Sequence, residues 1–242
     1  MISIFNARDE RCLRFLLETY LNGNGGNMIK AVIFDMDGLM IDTEKLLVKY
    51  WLEAARYYGY SMNRNHIIGI RSMEPKHAAS KLREEIGQDF DYYKVRSLRK
   101  KLMNEHIGKY GLEEKKGLGE LLNYLKLNHY LTAVATSTDY ERTIWYLSSL
   151  GRMEYFDVIV CADMVKNGKP EPDIYLEAAR RLKTEPGMCM ALEDSPNGIL
   201  SAYRAGMRPV MIPDLSQPDE KTEKLLFRCV EDLSKVIPLL EL

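Results

Sequence analysis

Five short apolar runs constrain this chain more than any other feature of its sequence. They are Ala31–Phe34, Leu131–Ala135, Val158–Cys161, Met188–Leu192 and Pro209–Ile212. Each is continuous rather than alternating in polarity, the pattern of a strand buried on both faces. Between the later runs, apolar residues recur at helical spacing over about 117–127, 139–150, 172–182 and 196–204. This strand–helix alternation predicts an α/β fold: a doubly wound, Rossmann-like parallel sheet with right-handed crossovers.

One stretch breaks the rhythm. Residues 44–112 contain no convincing strand and show helical periodicity instead. Leu46, Leu47, Tyr50, Trp51 and Ala54 recur at helix spacing, as do Val95, Leu98, Leu102 and His106. The stretch is expected to be an all-helical cap inserted after the first strand, leaving 28–43 and 113–242 as the α/β core. Residues 1–27 form an appendage ending in Asn22-Gly23-Asn24-Gly25-Gly26-Asn27. Two readings of it stand. Its apolar residues can line a docking helix, or Gly25-Gly26-Asn27 is a translated purine-rich ribosome-binding segment and Met28 the start.

The chain has 242 residues, 46% of them hydrophobic, enough for a sizeable core. Its 34 basic and 35 acidic residues leave a formal charge of −1, which makes no electrostatic case for nucleic acid or a membrane surface. Cys12, Cys161, Cys189 and Cys229 form no C-x-x-C pair and read as buried structural thiols in a reducing compartment. No apolar run reaches the length of a membrane span and no secretory pattern opens the chain, so a cytoplasmic protein is expected. Nothing demands an oligomer, and a monomer is expected.

The chemistry lies at the strand ends. Ala31-Val-Ile-Phe-Asp35-Met-Asp37-Gly38 puts two carboxylates just past a buried strand, where residues i and i+2 project to one side. In an open α/β sheet that edge is where ligands bind. Two mutually repelling acids there invite a hard cation such as Mg²⁺. Asp and Gly also make ordinary turns, so this motif by itself leaves both readings open.

Three further elements follow in order. Thr136-Ser137-Thr138 closes the second run, offering a hydroxyl and amides to phosphate, or else a helix cap. Lys169 stands in Asn167-Gly168-Lys169-Pro170-Glu171-Pro172-Asp173, where two prolines stiffen the backbone around a cation. Glu193-Asp194-Ser195-Pro196-Asn197-Gly198 sets a second acidic pair at the end of a second buried strand, with Asp194 or Ser195 available as a cap.

Together these elements resemble the haloacid dehalogenase superfamily, in its branch of β-phosphoglucomutase-like proteins and small sugar-phosphate phosphatases. The resemblance covers about residues 28–215 and implies the same sheet with a helical cap. It implies Asp35 as nucleophile, Asp37 as general acid/base, and Thr136 and Lys169 as stabilisers of the phosphate and the nucleophile. Gly38, Thr136, Ser137, Lys169 and Arg71 are then the phosphate and substrate candidates. Asp35, Asp37 (through its backbone carbonyl), Asp194 and Glu193 are the candidates for Mg²⁺. The implied partner is a small phosphorylated metabolite.

Departures from family patterns narrow the choice. Dehalogenating and phosphonate-cleaving relatives lack the second acid that Asp37 supplies. β-Phosphoglucomutases carry a cap histidine ten residues after that acid, where this chain has Leu47. They also place an arginine three residues after a cap glycine, whereas Arg71 follows Gly69 by two. Hydrolysis is therefore expected over phosphoryl transfer within a sugar. A non-catalytic binding module is the third reading, disfavoured because Asp35, Asp37, Lys169 and Asp194 are all present. His66, His77, His106 and His129 have no metal-ligand spacing and are expected to pack or lie at the surface.

Overall fold

A computed structural model describes residues 28–70 and 75–241; the N-terminal segment and Arg71 lie outside the described residues. Strand β1 (Ala31–Phe34) is followed by four helices: α1 (Thr43–Tyr57), α2 (Arg64–Ile68), α3 (Pro75–Ile86) and α4 (Tyr92–Tyr110). Then come α5 (Leu118–Leu127), β2 (Leu131–Thr136), α6 (Tyr140–Ser149), β3 (Val158–Cys161), α7 (Asp173–Leu182) and β4 (Cys189–Glu193). The chain continues through α8 (Pro196–Arg204), β5 (Arg208–Met211), α9 (Glu220–Glu223), β6 (Arg228–Cys229) and α10 (Ile237–Leu240). Every strand pairing is parallel, in the order β3-β2-β1-β4-β5-β6.

The predicted strands are all present, three of them displaced or extended by one residue. The structure adds β6 at the sheet edge, a pairing of two residues that no apolar run announces. Its Cys229 is exposed, unlike the buried Cys161 and Cys189, so the expectation of buried thiols fails there. An edge position leaves one side of the strand to solvent. No helix among the described residues is long and apolar enough to cross a membrane.

Alternate strand residues serve two helical layers. Val32, Phe34, Val134, Met190 and Leu192 pack with Leu118, Leu121, Leu122 and Leu125 of α5. Ala31, Ile33, Ala133, Ala135 and Ala191 face α7 through Ile174, Tyr175, Ala178 and Ala179. Small residues on that second face let α7 approach closely. The helices between β1 and β2 have a cluster of their own, including Trp51, Ala54, Leu82, Phe90 and Val95.

The chain leaves for these helices and returns at one place. Asp42 N donates to Glu113 O at 3.0 Å and Lys115 N to Met40 O at 2.9 Å. The inward stripe of α4 differs from the expected one. Tyr92, Val95, Arg99, Met103 and Ile107 are its buried residues, while Leu98, Leu102 and His106 are only half-buried. The spacing was legible but the phase was not, because α4 packs against α1 on one side and faces the sheet edge on another.

Leu125 is fully buried in the α5 layer, away from the strand ends. Leu125→Ala is expected to cost about 2–5 kcal/mol, read as a lower urea midpoint with an unchanged m value.

Candidate active site

Register places the polar residues before any side chain is considered. Phe34 is level with Val134 on β2 and with Leu192 on β4. The next step along each strand is therefore Asp35, Ala135 and Glu193, side by side at the carboxyl edge. Here the strand order reverses, with β2 on one side of β1 and β4 on the other. Such switch points open the crevice where α/β sheets bind ligands.

Lys169 reads all three of these residues. Its Nζ donates to Asp35 Oδ1 at 2.5 Å, Glu193 Oε1 at 2.6 Å and Ala135 O at 3.0 Å. The supporting loop is tied down along its length. Asn167 Nδ2 donates to Asp173 Oδ1 at 2.9 Å, Ser201 Oγ to Glu171 O at 2.6 Å, and Arg204 Nη1 to Pro170 O at 3.1 Å. The ammonium arrives on a stiff frame, as the prolines predict.

Glu193 is completely buried and spends both oxygens on neighbours. Oε1 accepts from Lys169 and from the Tyr175 hydroxyl at 2.7 Å. Oε2 accepts from Asp194 N at 3.2 Å, Ser195 N at 3.4 Å and Ser195 Oγ at 3.2 Å. Capping of α8 falls to Ser195, whose Oγ accepts from Gly198 N at 3.2 Å. Asp139 caps α6 by accepting from Arg142 N at 3.0 Å, so Thr136 is not needed there. Both hydroxyl and carboxylate candidates are thus relieved of the capping duty that competed for them.

Asp37 is held from two elements. Thr43 Oγ1 donates to its Oδ1 at 2.9 Å and Thr138 Oγ1 to its Oδ2 at 2.6 Å. The sequence pattern gives no site role to Thr43 or Tyr175, and Thr138 enters only as part of the run Thr136-Ser137-Thr138. The run Thr136-Ser137-Thr138 was a usable signal for Thr138; Tyr175 had none, being one aromatic among the apolar residues of α7. Thr136 is buried and lines the pocket with Asp35, and Ser137 lines it as an exposed residue.

Gly38 answers a steric requirement. Its φ is +87°, and a Cβ there would stand 2.3 Å from Asp194 Oδ2. Its N–H already donates to Ile41 O at 2.9 Å, so what it offers the site is room and not an amide. Asp35, Glu193 and Asp194 bring carboxylate oxygens within 4.8 Å of one another. Burial is the main force raising Asp35, to about 7; Lys169 opposes it, and Glu193 and Asp37 add to it. Burial alone would lower Lys169, but the Asp35 and Glu193 carboxylates hold it above the usual lysine range. Three carboxylates gathered this closely suit a hard cation.

A family model for haloacid dehalogenase-like hydrolases matches residues 32–212, which span β1 to the end of β5 and contain all of these groups. The chain belongs to this family. It is 34% identical over 186 residues to the phosphorylated carbohydrates phosphatase of Thermotoga maritima, covering 75% of this chain and 84% of that one. It is 33% identical over 182 residues to the fructose-1-phosphate phosphatase YqaB of Escherichia coli, covering 74% and 94%. In structure it is similar to CbbY from Rhodobacter sphaeroides in complex with phosphate, with a TM-score of 0.75 and 25% identity over 89% of this chain and 100% of that one. The protein is a haloacid dehalogenase-like phosphatase.

The pocket of this hydrolase has a volume of about 250 Å³. Its floor is Asp35, Asp37, Thr136, Lys169 and Asp194. Leu47 of α1 lines it, with Arg96, Arg99 and Lys100 of α4 and Arg142 of α6. These four cations were not singled out from the sequence, where they were scattered among many solvated basic residues.

Gly198 provides a test of the packing. A Cβ there would lie 1.9 Å from Glu193 Cδ, and that carboxylate is pinned on both oxygens. Gly198→Ala is expected to destabilise the fold by about 1–3 kcal/mol in urea melts and to lower phosphatase activity by displacing Glu193 from Lys169.

Proposed function

We propose that this phosphatase is Mg²⁺-dependent, hydrolyses a small phosphomonoester of the sugar or polyol class, and works through phosphoaspartate on Asp35. The observation that carries the reading is the Lys169–Asp35 contact of 2.5 Å at the pocket floor, with Asp37 held two residues on by Thr43 and Thr138. A phosphoryl group seated there meets a carboxylate nucleophile, an ammonium and hydroxyl donors together.

Asp35 attacks phosphorus and carries the phosphoryl group until water releases it, splitting one hard displacement into two. Asp37 donates a proton to the leaving oxygen in the first step and takes one from water in the second. Lys169 neutralises charge on the equatorial oxygens, where phosphoryl transition states spread it. Thr136 and Ser137 orient those oxygens. Asp35 and Asp194 would hold the Mg²⁺, with the Asp37 carbonyl, and Glu193 keeps Lys169 and the Asp194 backbone in place. The ion, when bound, offsets negative charge on the phosphate and the carboxylates.

Support for a carbohydrate or polyol ester comes from what the phosphatases of T. maritima and E. coli are named for. Leu47 in the pocket wall supports hydrolysis over a mutase reaction, since an apolar side chain there cannot relay a proton.

Phosphate release from a panel of small phosphomonoesters, with Mg²⁺ and with chelator, tests this. Activity is expected only with Mg²⁺, to vanish in Asp35→Asn, and to fall roughly 10²–10⁴-fold in Asp37→Asn. Glucose 6-phosphate formed from β-glucose 1-phosphate without free phosphate would establish the mutase instead. Activity unaffected by chelator would overturn the metal assignment.

A further inference from the structure

Among the described residues, Arg99 is a buried cation that makes no ion pair with an acid. Only 6% of the residue is exposed, yet no described residue accepts a hydrogen bond from its Nε. Its Nη1 reaches nothing better than Met103 Sδ at 3.9 Å, and its guanidinium lies 5.4 Å from the Trp51 ring centre. It occupies the inward stripe of α4 between Val95 and Met103, where an apolar residue would satisfy the packing.

Other cations surround it. Burial depresses Arg99 to about 10, and the next two causes are the positive charges of Arg142 and Arg96. Lys100 is lowered by burial and then by Arg96, Arg142 and Arg99, while Asp139 acts the other way. Arg142 bonds the neutral amide of Asn104 at 2.5 Å. Among the described residues none of the four makes an ion pair, and all four line the pocket that holds Asp35. Of the acids lining the pocket, Asp35 bonds Lys169, Asp37 two threonines and Asp139 its helix cap; Glu44 and Asp194 line it too, and neither pairs with any of these four cations.

Burying a charge without a partner is costly, and gathering like charges around it costs more. A protein bears that cost when a ligand supplies the missing charge, and guanidinium forks match phosphate and carboxylate oxygens. We infer that Arg96, Arg99, Lys100 and Arg142 form a second anion subsite, so that the substrate is a phosphomonoester whose leaving alcohol carries a further phosphate or carboxylate. This deepens, and rests on, the assignment of the phosphoryl site to Asp35. The four cations come from α4 and α6, whereas the phosphoryl groups come from the strand ends and the Lys169 loop, so one pocket holds two separate anion stations.

Binding to Asp35→Asn, measured by calorimetry, tests the subsite apart from turnover. Two matched pairs serve as probes: fructose 1-phosphate with fructose 1,6-bisphosphate, and glycerol 3-phosphate with 3-phosphoglycerate. The doubly anionic member of at least one pair is expected to bind roughly 10- to 100-fold tighter. Which pair shows the preference tells phosphate from carboxylate. Adding Arg99→Met should abolish the preference while changing affinity for the singly charged partner by less than about 3-fold. Lys100→Gln, at a half-buried position, should weaken it and guards against misfolding of the Arg99 variant. Equal affinities within both pairs, or a preference kept by both variants, would overturn the inference. Phosphate release by the unaltered chain, run alongside, judges the phosphatase mechanism separately, because the binding arm decides the subsite whether or not turnover is seen.

Discussion

One buried ammonium organises the catalytic edge of this protein. Lys169 joins three neighbouring strands by bonding Asp35 just past the end of β1, Ala135 on β2 and Glu193 on β4. A lysine taken out of water needs compensating charge and hydrogen bonds, and here two carboxylates and a carbonyl provide them. That requirement explains the stiff loop on which Lys169 is carried, the Tyr175 hydroxyl that fills the rest of Glu193 Oε1, and the backbone amides on Oε2. It also explains Gly198, since the Glu193 carboxylate occupies the space a side chain would take.

The same edge is electrostatically unfinished toward the pocket. Asp35, Glu193 and Asp194 bring their carboxylates close together, and Asp35 is raised to about 7 chiefly by burial. A nearby cation stabilises the ionised form of such a group. The pocket therefore divides by sign. The strand ends are rich in carboxylates suited to a cation, and the facing helices carry guanidinium and ammonium groups suited to an anion. A phosphate ester bearing a second negative group fits both.

Much of this was legible in the chain. Continuous apolar runs announced the parallel strands because burial on both faces removes the need for polar alternation. Asp35, Lys169, Glu193 and Asp194 stood out because each follows a buried strand or sits in a rigid loop, a pattern with chemical meaning at local range. The edge strand Arg228–Cys229 escaped, since a half-buried arginine and an exposed cysteine leave no apolar signature. Thr43 and Tyr175 escaped too, because threonine at a helix start and tyrosine in a helix are commonplace until their hydroxyls are seen on Asp37 and Glu193.

What sequence alone determined was the order of elements and the identity of the charged groups at the sheet edge. Strand patterning and turn chemistry are local properties, read over a few residues at a time. Tertiary structure decided the rest: the meeting of Asp35 and Glu193 through Lys169, the Gly38–Asp194 contact, and the phase of α4 that turns Arg99 inward. A helix's period is written in its own residues. Which of them lies against the pocket depends on what packs around the helix, and only the folded chain supplies that.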